Sequence, residues 1–496
     1  MKKYIIFAIT GIMCCSILMT NFAFSATPEN WIDFAEPPEM PMPGIYEVYT
    51  AEQLAWIAKR TNEGYSFNEE EVLLCADIDL GGREWTPIGA VYCDMLPVYD
   101  GTLLDYSNSY LIDYLLQICF SASFNGNGYK ISNMHVTDSE LMTLGLFGVL
   151  RDACITNIDI VDCELFGYIS EYDEDTDESY AGALAAGIFA SNIVQCRSTG
   201  TVSGYTVGGL VGVAMEETNI SQCNFIGTVF GDYYVGGLVG GTMEETNILQ
   251  SYFIGTVSGD RFVGGLVGAS NATISQCYTE GTISSENWAG GLVGTQGGIM
   301  KNCYSEADVI DDWRSVGLIG LSWYGYVESC YWSGAVSKYP LIGPYENDAN
   351  SDYTRIVDIY WDAEKSGLSE SSEDRGFGTP LTTAEFKAGL PHGFDPDIWG
   401  IIPGSTYPYL KAFGDNIFTL KATQTDDNTV EIEISGDVSD CVLVGALYDP
   451  DNRMLEVKIQ PASSKSIEFS QPIAYNTYRI FILSDMERLI PVSVLN

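Results

Sequence analysis

The sequence predicts an all-β chain. It reads as a parallel β-helix (a solenoid of about 27 residues per coil) with a capping helix, followed by a small antiparallel β-sandwich domain. Three recurrences predict the solenoid. The phrase GGLVG stands at Gly208, Gly236, Gly264 and Gly290 and decays to VGLIG at Val316, at intervals of 28, 28, 26 and 26 residues. A second phrase keeps the same beat: GTV at Gly200, Gly227 and Gly255, GTI at Gly281, ADV at Ala307 and GAV at Gly334. Cysteine recurs at Cys196, Cys223, Cys277, Cys303 and Cys330, with Ser251 in the remaining slot. Self-similarity at such a period marks solenoids, propellers or arrays.

Each unit holds short β-type runs, such as Thr201-Val202, Leu210-Val211 and Ile220 to Phe225, separated by Gly, Asn, Ser and Asp. Three such runs per unit fit one coil, each strand pairing with its copy in the next at roughly 4.8 Å. A propeller blade needs a longer repeat with four strands, and a leucine-rich repeat a spaced Leu ladder with an Asn. The glycines of GGLVG would permit positive φ and close backbone approach at a corner, and Leu210, Leu238, Leu266, Leu292 and Leu318 would stack in one column. A phosphate cradle would need a following helix, which the sequence lacks.

These phrases resemble those of GLUG-motif proteins, named from GGLVG-like repeats in secreted and surface proteins of bacteria, including some immunoglobulin A peptidases. ADIDLGGREWTPIG (Ala76 to Gly89), FNGNGYKISNM (Phe124 to Met134) and LGLFG (Leu144 to Gly148) are similar to the family's opening coils. YWDAEKSG (Tyr360 to Gly367), LTTAEF (Leu381 to Phe386) and YPYL (Tyr407 to Leu410) are similar to its exit. The resemblance spans roughly Tyr46 to Phe413 and implies architecture. In the peptidases the motif belongs to accessory regions, so proteolysis is not implied.

Residues 1–25 read as a secretory signal peptide: Lys2 and Lys3, an apolar run from Tyr4 to Met19, and Ala23-Phe24-Ser25 before the cut. Cys14 and Cys15 sit in a poor lipobox. A secreted or cell-surface location follows, with no membrane insertion once the signal is removed. Residues 26–45, with Pro28, Pro37, Pro38, Pro41 and Pro43, read as an extended leader. Thr50-Ala51-Glu52-Gln53 forms a capping box ahead of a helix through Arg60, with Leu54, Ile57 and Ala58 on one face. A stack of strands needs its open end covered, and this helix would be the lid. The solenoid is expected over 46–345 and terminal coils with a cap over 346–414.

Two insertions interrupt the coils. One, before Phe120, carries Tyr99, Tyr106, Tyr110 and Tyr114, which either bind a partner or fold back on the coil wall. The other, Ser170 to Tyr180, contains EYDEDTDES; Asp173, Asp175 and Asp177 are candidate calcium ligands, against a plain solvated acidic loop. The EF-hand pattern is absent, and no other cofactor is implied.

Charge limits the partners. The formal net charge is −44, and −46 without Lys2 and Lys3. Such a surface repels nucleic acid and anionic lipid. A glycan, or a protein of a host or neighbouring cell surface, is the expected partner. Of 13 cysteines, 11 lie beyond the signal. Secreted proteins favour disulfides, but neighbours in a parallel stack sit farther apart than the ~3.8 Å between Cβ atoms that a disulfide prefers. Buried thiols packed as small hydrophobes are the preferred reading, disulfides the alternative.

Beyond Asp415 strict alternation begins, at Val430 to Ile434, Cys441 to Tyr448, Leu455 to Ile459, Ser466 to Phe469 and Tyr478 to Leu483. Residues 415–496 therefore read as the sandwich, and ALYDPDNRML and YRIFILSDMERLIPVS resemble a terminal module of some clostridial-type surface proteins.

No catalytic motif stands out: neither HExxH nor GxSxG occurs, and acidic pairs are too abundant to mark a dyad. Three functions remain open: a non-catalytic surface binding or adhesion scaffold, a polysaccharide-active β-helix enzyme (lyase or hydrolase), and a structural stalk. The residue-level candidates are the aromatics two or three places before each phrase, Tyr205, Tyr234, Phe262, Trp288 and Trp313. Facing solvent they would form a sugar-stacking column; facing inward they would be core.

Overall fold

The computed structural model describes residues 29–92, 118–167, 179–243, 245–310, 314–335, 339–343, 354–368 and 378–413, and beyond them 419–425, 428–435, 442–448, 454–461, 464, 466–470, 477–483 and 491–495. The two insertions' Tyr99, Tyr106, Tyr110 and Tyr114, and Asp173, Asp175 and Asp177, lie outside the described residues, as does Trp313.

The chain is a parallel β-helix, as the repeat predicts. One wall is a seven-stranded sheet: Phe147–Arg151, Ala185–Phe189, Val211–Met215, Val239–Thr242, Val267–Ser270, Val293–Gln296 and Ile319–Ser322, each parallel to the next. The GTV phrase opens onto long strands, Asn224–Gly236, Tyr252–Gly264 and Tyr278–Gly290, which pair in register with Val229 opposite Val257 and Val257 opposite Ile283. A third column stacks short strands, with Ile193, Ile220, Ile248, Ile274 and Met300 in line.

The interior follows from this register. Leu210, Leu238, Leu266, Leu292 and Leu318 are fully buried in one column. Each amide N–H donates to the next leucine's carbonyl, at 3.0, 2.9, 2.8 and 2.9 Å. The glycines of GGLVG serve close approach rather than positive φ: a Cβ on Gly236 would lie 1.9 Å from the Val239 carbonyl oxygen. Positive φ belongs to the other phrase, at Gly255 (148°) and Gly281 (121°), where a Cβ would meet the preceding coil's glycine carbonyl at 1.9 Å.

The capping helix runs Ala51–Asn62 and buries Leu54, Ala55, Ile57 and Ala58 in the solenoid core. Thr50 Oγ1 accepts the Gln53 N–H at 3.3 Å, while Gln53 Oε1 accepts from Tyr49 N rather than Thr50 N. The leader is docked rather than free: Trp31 is buried, its N–H donates to Glu84 O, and Glu39–Met42 pairs antiparallel with Ile45–Val48.

The cysteine column sits at a corner. The residues before it, Gln195, Gln222, Gln250, Gln276 and Asn302, are left-handed (φ 48 to 56°). Cys223, Cys277, Cys303 and Cys330 are buried with free thiols, each S–H donating to the carbonyl two residues back at 3.2 or 3.3 Å. Ser251 Oγ makes the same bond to Leu249 O at 2.9 Å.

After Thr354–Asp362, which pairs parallel with Gly325–Trp332, residues 378–413 wrap along the outer wall. They cover a tyrosine ladder: Tyr252, Tyr278, Tyr304 and Tyr331 stack at 4.8, 5.0 and 5.1 Å. Phe413 lies edge-on to Tyr252 and Tyr278, and Phe386, Phe394 and Trp399 close over Tyr331. The C-terminal strands then form two antiparallel sheets. Thr419–Gln424, Thr429–Ser435 and Ser466–Glu468 make one, and Met454–Pro461, Val442–Tyr448, Thr477–Leu483 and Pro491–Leu495 the other. They face each other where Gly445 abuts Ile467 and Phe469.

Candidate functional site

The aromatics before each phrase form a layer outside the core, in two interleaved columns rather than one. Thr206, not Tyr205, pairs with Tyr234, so Tyr205 aligns with Tyr233. The Tyr205 and Tyr233 rings stack at 5.6 Å and 5°, and Tyr234 lies 5.7 Å from Phe262 at 33°. Tyr233 is edge-on to Tyr234 and Phe262. Phe262 (φ 44°) and Trp288 (φ 70°) have left-handed backbone conformations. Tyr205, Tyr234 and Phe262 are half-buried; Trp288 is buried, with Arg314 over its ring at 4.4 Å. Packing uses most of this surface, leaving no bare platform among the described residues.

Tyr234 also lines a groove of about 330 Å³ at the ends of the seven-stranded sheet, with Thr242, Met243, Ser270, Asn271, Thr295, Gln296, Trp323 and Tyr324. Corner lengths shape it. Thr242 and Asn247 are in register with Ser270 and Thr273, and these with Gln296 and Ile299, so four residues turn the first corner but two turn each of the next. Ser322 and Tyr326 bracket three. Two short corners thus form a floor between longer ones that carry Met243 on one side and Trp323 and Tyr324 on the other. The change from 28- to 26-residue intervals is this recess.

Trp323 and Tyr324 are 48% and 50% exposed. Trp323 Nε1 donates to Thr295 Oγ1 at 2.9 Å, which fixes the indole at the rim. The floor is polar. Thr242 Oγ1 accepts from Asn271 N and donates to Ser270 Oγ at 3.4 Å, and Ser270 Oγ accepts Ala272 N at 3.2 Å. Gln296 is 1% exposed. Its Nε2 donates to Gly298 O at 3.3 Å, while its Oε1 is buried with no partner among the described residues.

A second, more open groove on the outer corner is lined by Asp232, Asp260, Ser284 and Glu286. Burial, and then the neighbouring Asp260 carboxylate, push the Asp232 carboxyl up to about 6. Beside the tyrosine ladder, burial and then Glu306 raise Glu280 to about 7, with Lys365 opposing. Among the described residues no three His, Cys, Asp or Glu gather as a metal cluster, and no helix is long and apolar enough to cross a membrane.

The groove residues Thr242, Ser270, Gln296 and Trp323 lie outside the sequence candidates; the drop in repeat interval was their one signal. No protein-family model and no curated protein matches the sequence. Among solved structures, the chain is similar to one from Bacteroides ovatus provisionally named an immunoglobulin A1 protease, at 17% identity and a TM-score of 0.40, covering 79% of this chain and 99% of that one. It is also similar to a structure named IgA1 Protease, at 15% identity and a TM-score of 0.37, covering 63% of this chain. The matched part spans 21% of that protein's length, and neither likeness carries a function over to this chain.

Proposed function

We propose that this chain is a secreted or surface-associated, GLUG-type binding scaffold whose ligand is a glycan. One observation carries the reading: half-exposed Trp323 and Tyr324 stand over a groove floored by hydroxyl and amide side chains. Aromatic faces offer apolar area at low entropic cost, and a few placed polar groups fix orientation, which is how small polar ligands are held. The N-terminal signal-like segment and the acidic composition support an extracellular setting and a neutral or cationic partner. A glycan array probed with the full chain and with Trp323→Ala tests this. Binding that the variant loses at unchanged melting temperature is expected; equal binding by both removes the groove as the site.

A second reading, a polysaccharide-active enzyme, has the Glu280 and Glu306 pair in its favour. They follow register partners Tyr278-Thr279 and Tyr304-Ser305 on adjacent coils, and burial raises both carboxyls. The wrap roofs the adjoining tyrosines, which weighs against substrate access. Release of reducing ends from a polysaccharide, abolished by Glu280→Gln, would establish that activity.

A further inference from the structure

We propose that this chain forms a two-fold dimer in which the edge strand Met454–Pro461 pairs antiparallel with the same strand of a second copy, centred on Val457. Among the described residues this strand pairs only with Val442–Tyr448, which leaves the backbone groups along its other side without a neighbouring strand. The opposite edge of that sheet is guarded: Pro491–Leu495 is short, opens on a proline and lies beside Thr419–Gln424 of the other sheet. Met454–Pro461 has no proline before its last residue. Its outward face is apolar: Leu455, Val457 and Ile459 are 39%, 41% and 53% exposed. The alternate positions hold Glu456 and Lys458, whose carboxylate and ammonium meet at 3.0 Å. The Glu456 carboxylate also accepts from Ser470 N and Oγ, both at 2.8 Å, which holds it in place on that face.

Charge and symmetry name the occupant. In an antiparallel pair, residues directly opposite share a face. A two-fold axis at Val457 therefore sets Val457 against its own copy, Leu455 against Ile459 of the second copy, and Glu456 against Lys458 of the second copy. Both sets are complementary, apolar on one face and opposite in charge on the other. Centring the axis on Glu456 or on Lys458 would oppose like charges, so the strand's own sequence selects one register. A lysine placed on an edge only to repel other strands would have no carboxylate waiting opposite it. The contact uses the same patch on both copies, as a closed two-fold assembly requires, and joins two four-stranded sheets into one continuous sheet across the axis. It also gives each particle two copies of any site the solenoid carries, which raises avidity for a multivalent surface.

The test is analytical sedimentation or light scattering of the full chain over a dilution series. A dimer that dissociates on dilution is expected. Val457→Lys places two ammonium groups at the axis and should weaken the dimer about tenfold or more, with the circular dichroism spectrum unchanged because Val457 lies at the surface. Lys458→Glu opposes carboxylates and should weaken it likewise, and Glu456→Lys added to Lys458→Glu restores opposite charges and should restore association. Ile310→Lys, at a 60% exposed position on the solenoid, should leave the dimer intact. A chain that stays monomeric throughout, a dimer that Val457→Lys leaves as tight as the parent, equal loss in Ile310→Lys, or no rescue by a folded double exchange would each overturn the proposal.

Discussion

Ser251 Oγ accepts the backbone N–H of Cys223 at 3.1 Å, one coil away. The same contact recurs where Cys330 Sγ accepts from Cys303 N at 3.4 Å. Serine and cysteine therefore do one job at this corner, donating to the carbonyl two residues back and accepting from the neighbouring coil. Cys277→Ser should change stability by no more than about 1 kcal/mol, whereas Cys277→Val strands the Ser275 carbonyl and should cost about 1–3 kcal/mol. Burial first, and then the neighbouring Cys303, hold the Cys277 thiol well above its ordinary pKa. Thiol titration should accordingly find at least four free thiols after denaturation without reductant, and the ladder thiols unreactive before it.

Leu238 sits midway in the leucine column, bonded through its backbone to Leu210 and Leu266. Leu238→Asp would place a carboxylate in an unbroken apolar stack, at a cost on the order of 4 kcal/mol or more. Loss of soluble yield and of the β signal in circular dichroism is expected. A soluble variant with an unchanged melt would contradict the column.

The aromatic layer and the groove should separate in one pair of measurements. Trp288 is buried beneath Arg314 and against Gly343, so Trp288→Ala should cost about 3–5 kcal/mol. Tyr324 is half exposed, and Tyr324→Ala should stay within about 1 kcal/mol in stability while weakening glycan binding. Denaturant melts read the first, calorimetric titration the second.

Asp232 gives a pH signature. Its carboxyl titrates at about 6 in the fold against 3.8 ordinarily, so the folded chain holds that proton more tightly than the unfolded one. The associated stability is fully present below about pH 4 and is lost as pH rises through 6. Asp232→Asn should match the parent's melting temperature at pH 4 and exceed it at pH 7.5. A constant difference across that range would show that Asp232 does not titrate in this way.

The coil architecture was legible because periodicity reports pairing directly: the Leu, Val and Cys columns are read off equal spacing. The aromatic wall was only half legible. Counted back from GGLVG, Tyr205 and Tyr233 stand three places before the phrase and Tyr234 and Phe262 two, so residues grouped as one column belong to two. The tyrosine ladder is masked in the sequence, because Tyr252, Tyr278, Tyr304 and Tyr331 each follow the cysteine or serine slot and share its period. What covers that ladder, residues 378–413, returns from far along the chain, and no local pattern announces such a contact. The groove was visible only as a change of interval, whose meaning depends on which corner absorbs the missing residues.

Because the groove is bounded by longer corners and floored by short ones, its length comes in whole coils. Duplicating a 26-residue unit between Val267–Ser270 and Val293–Gln296 would extend the floor by one strand spacing, about 4.8 Å, and repeat the serine or glutamine position once more. Deleting a unit would bring Met243 a step closer to Trp323. Such a scaffold would change the length of its groove by unequal exchange between its own repeats, with no new fold and no new side-chain chemistry.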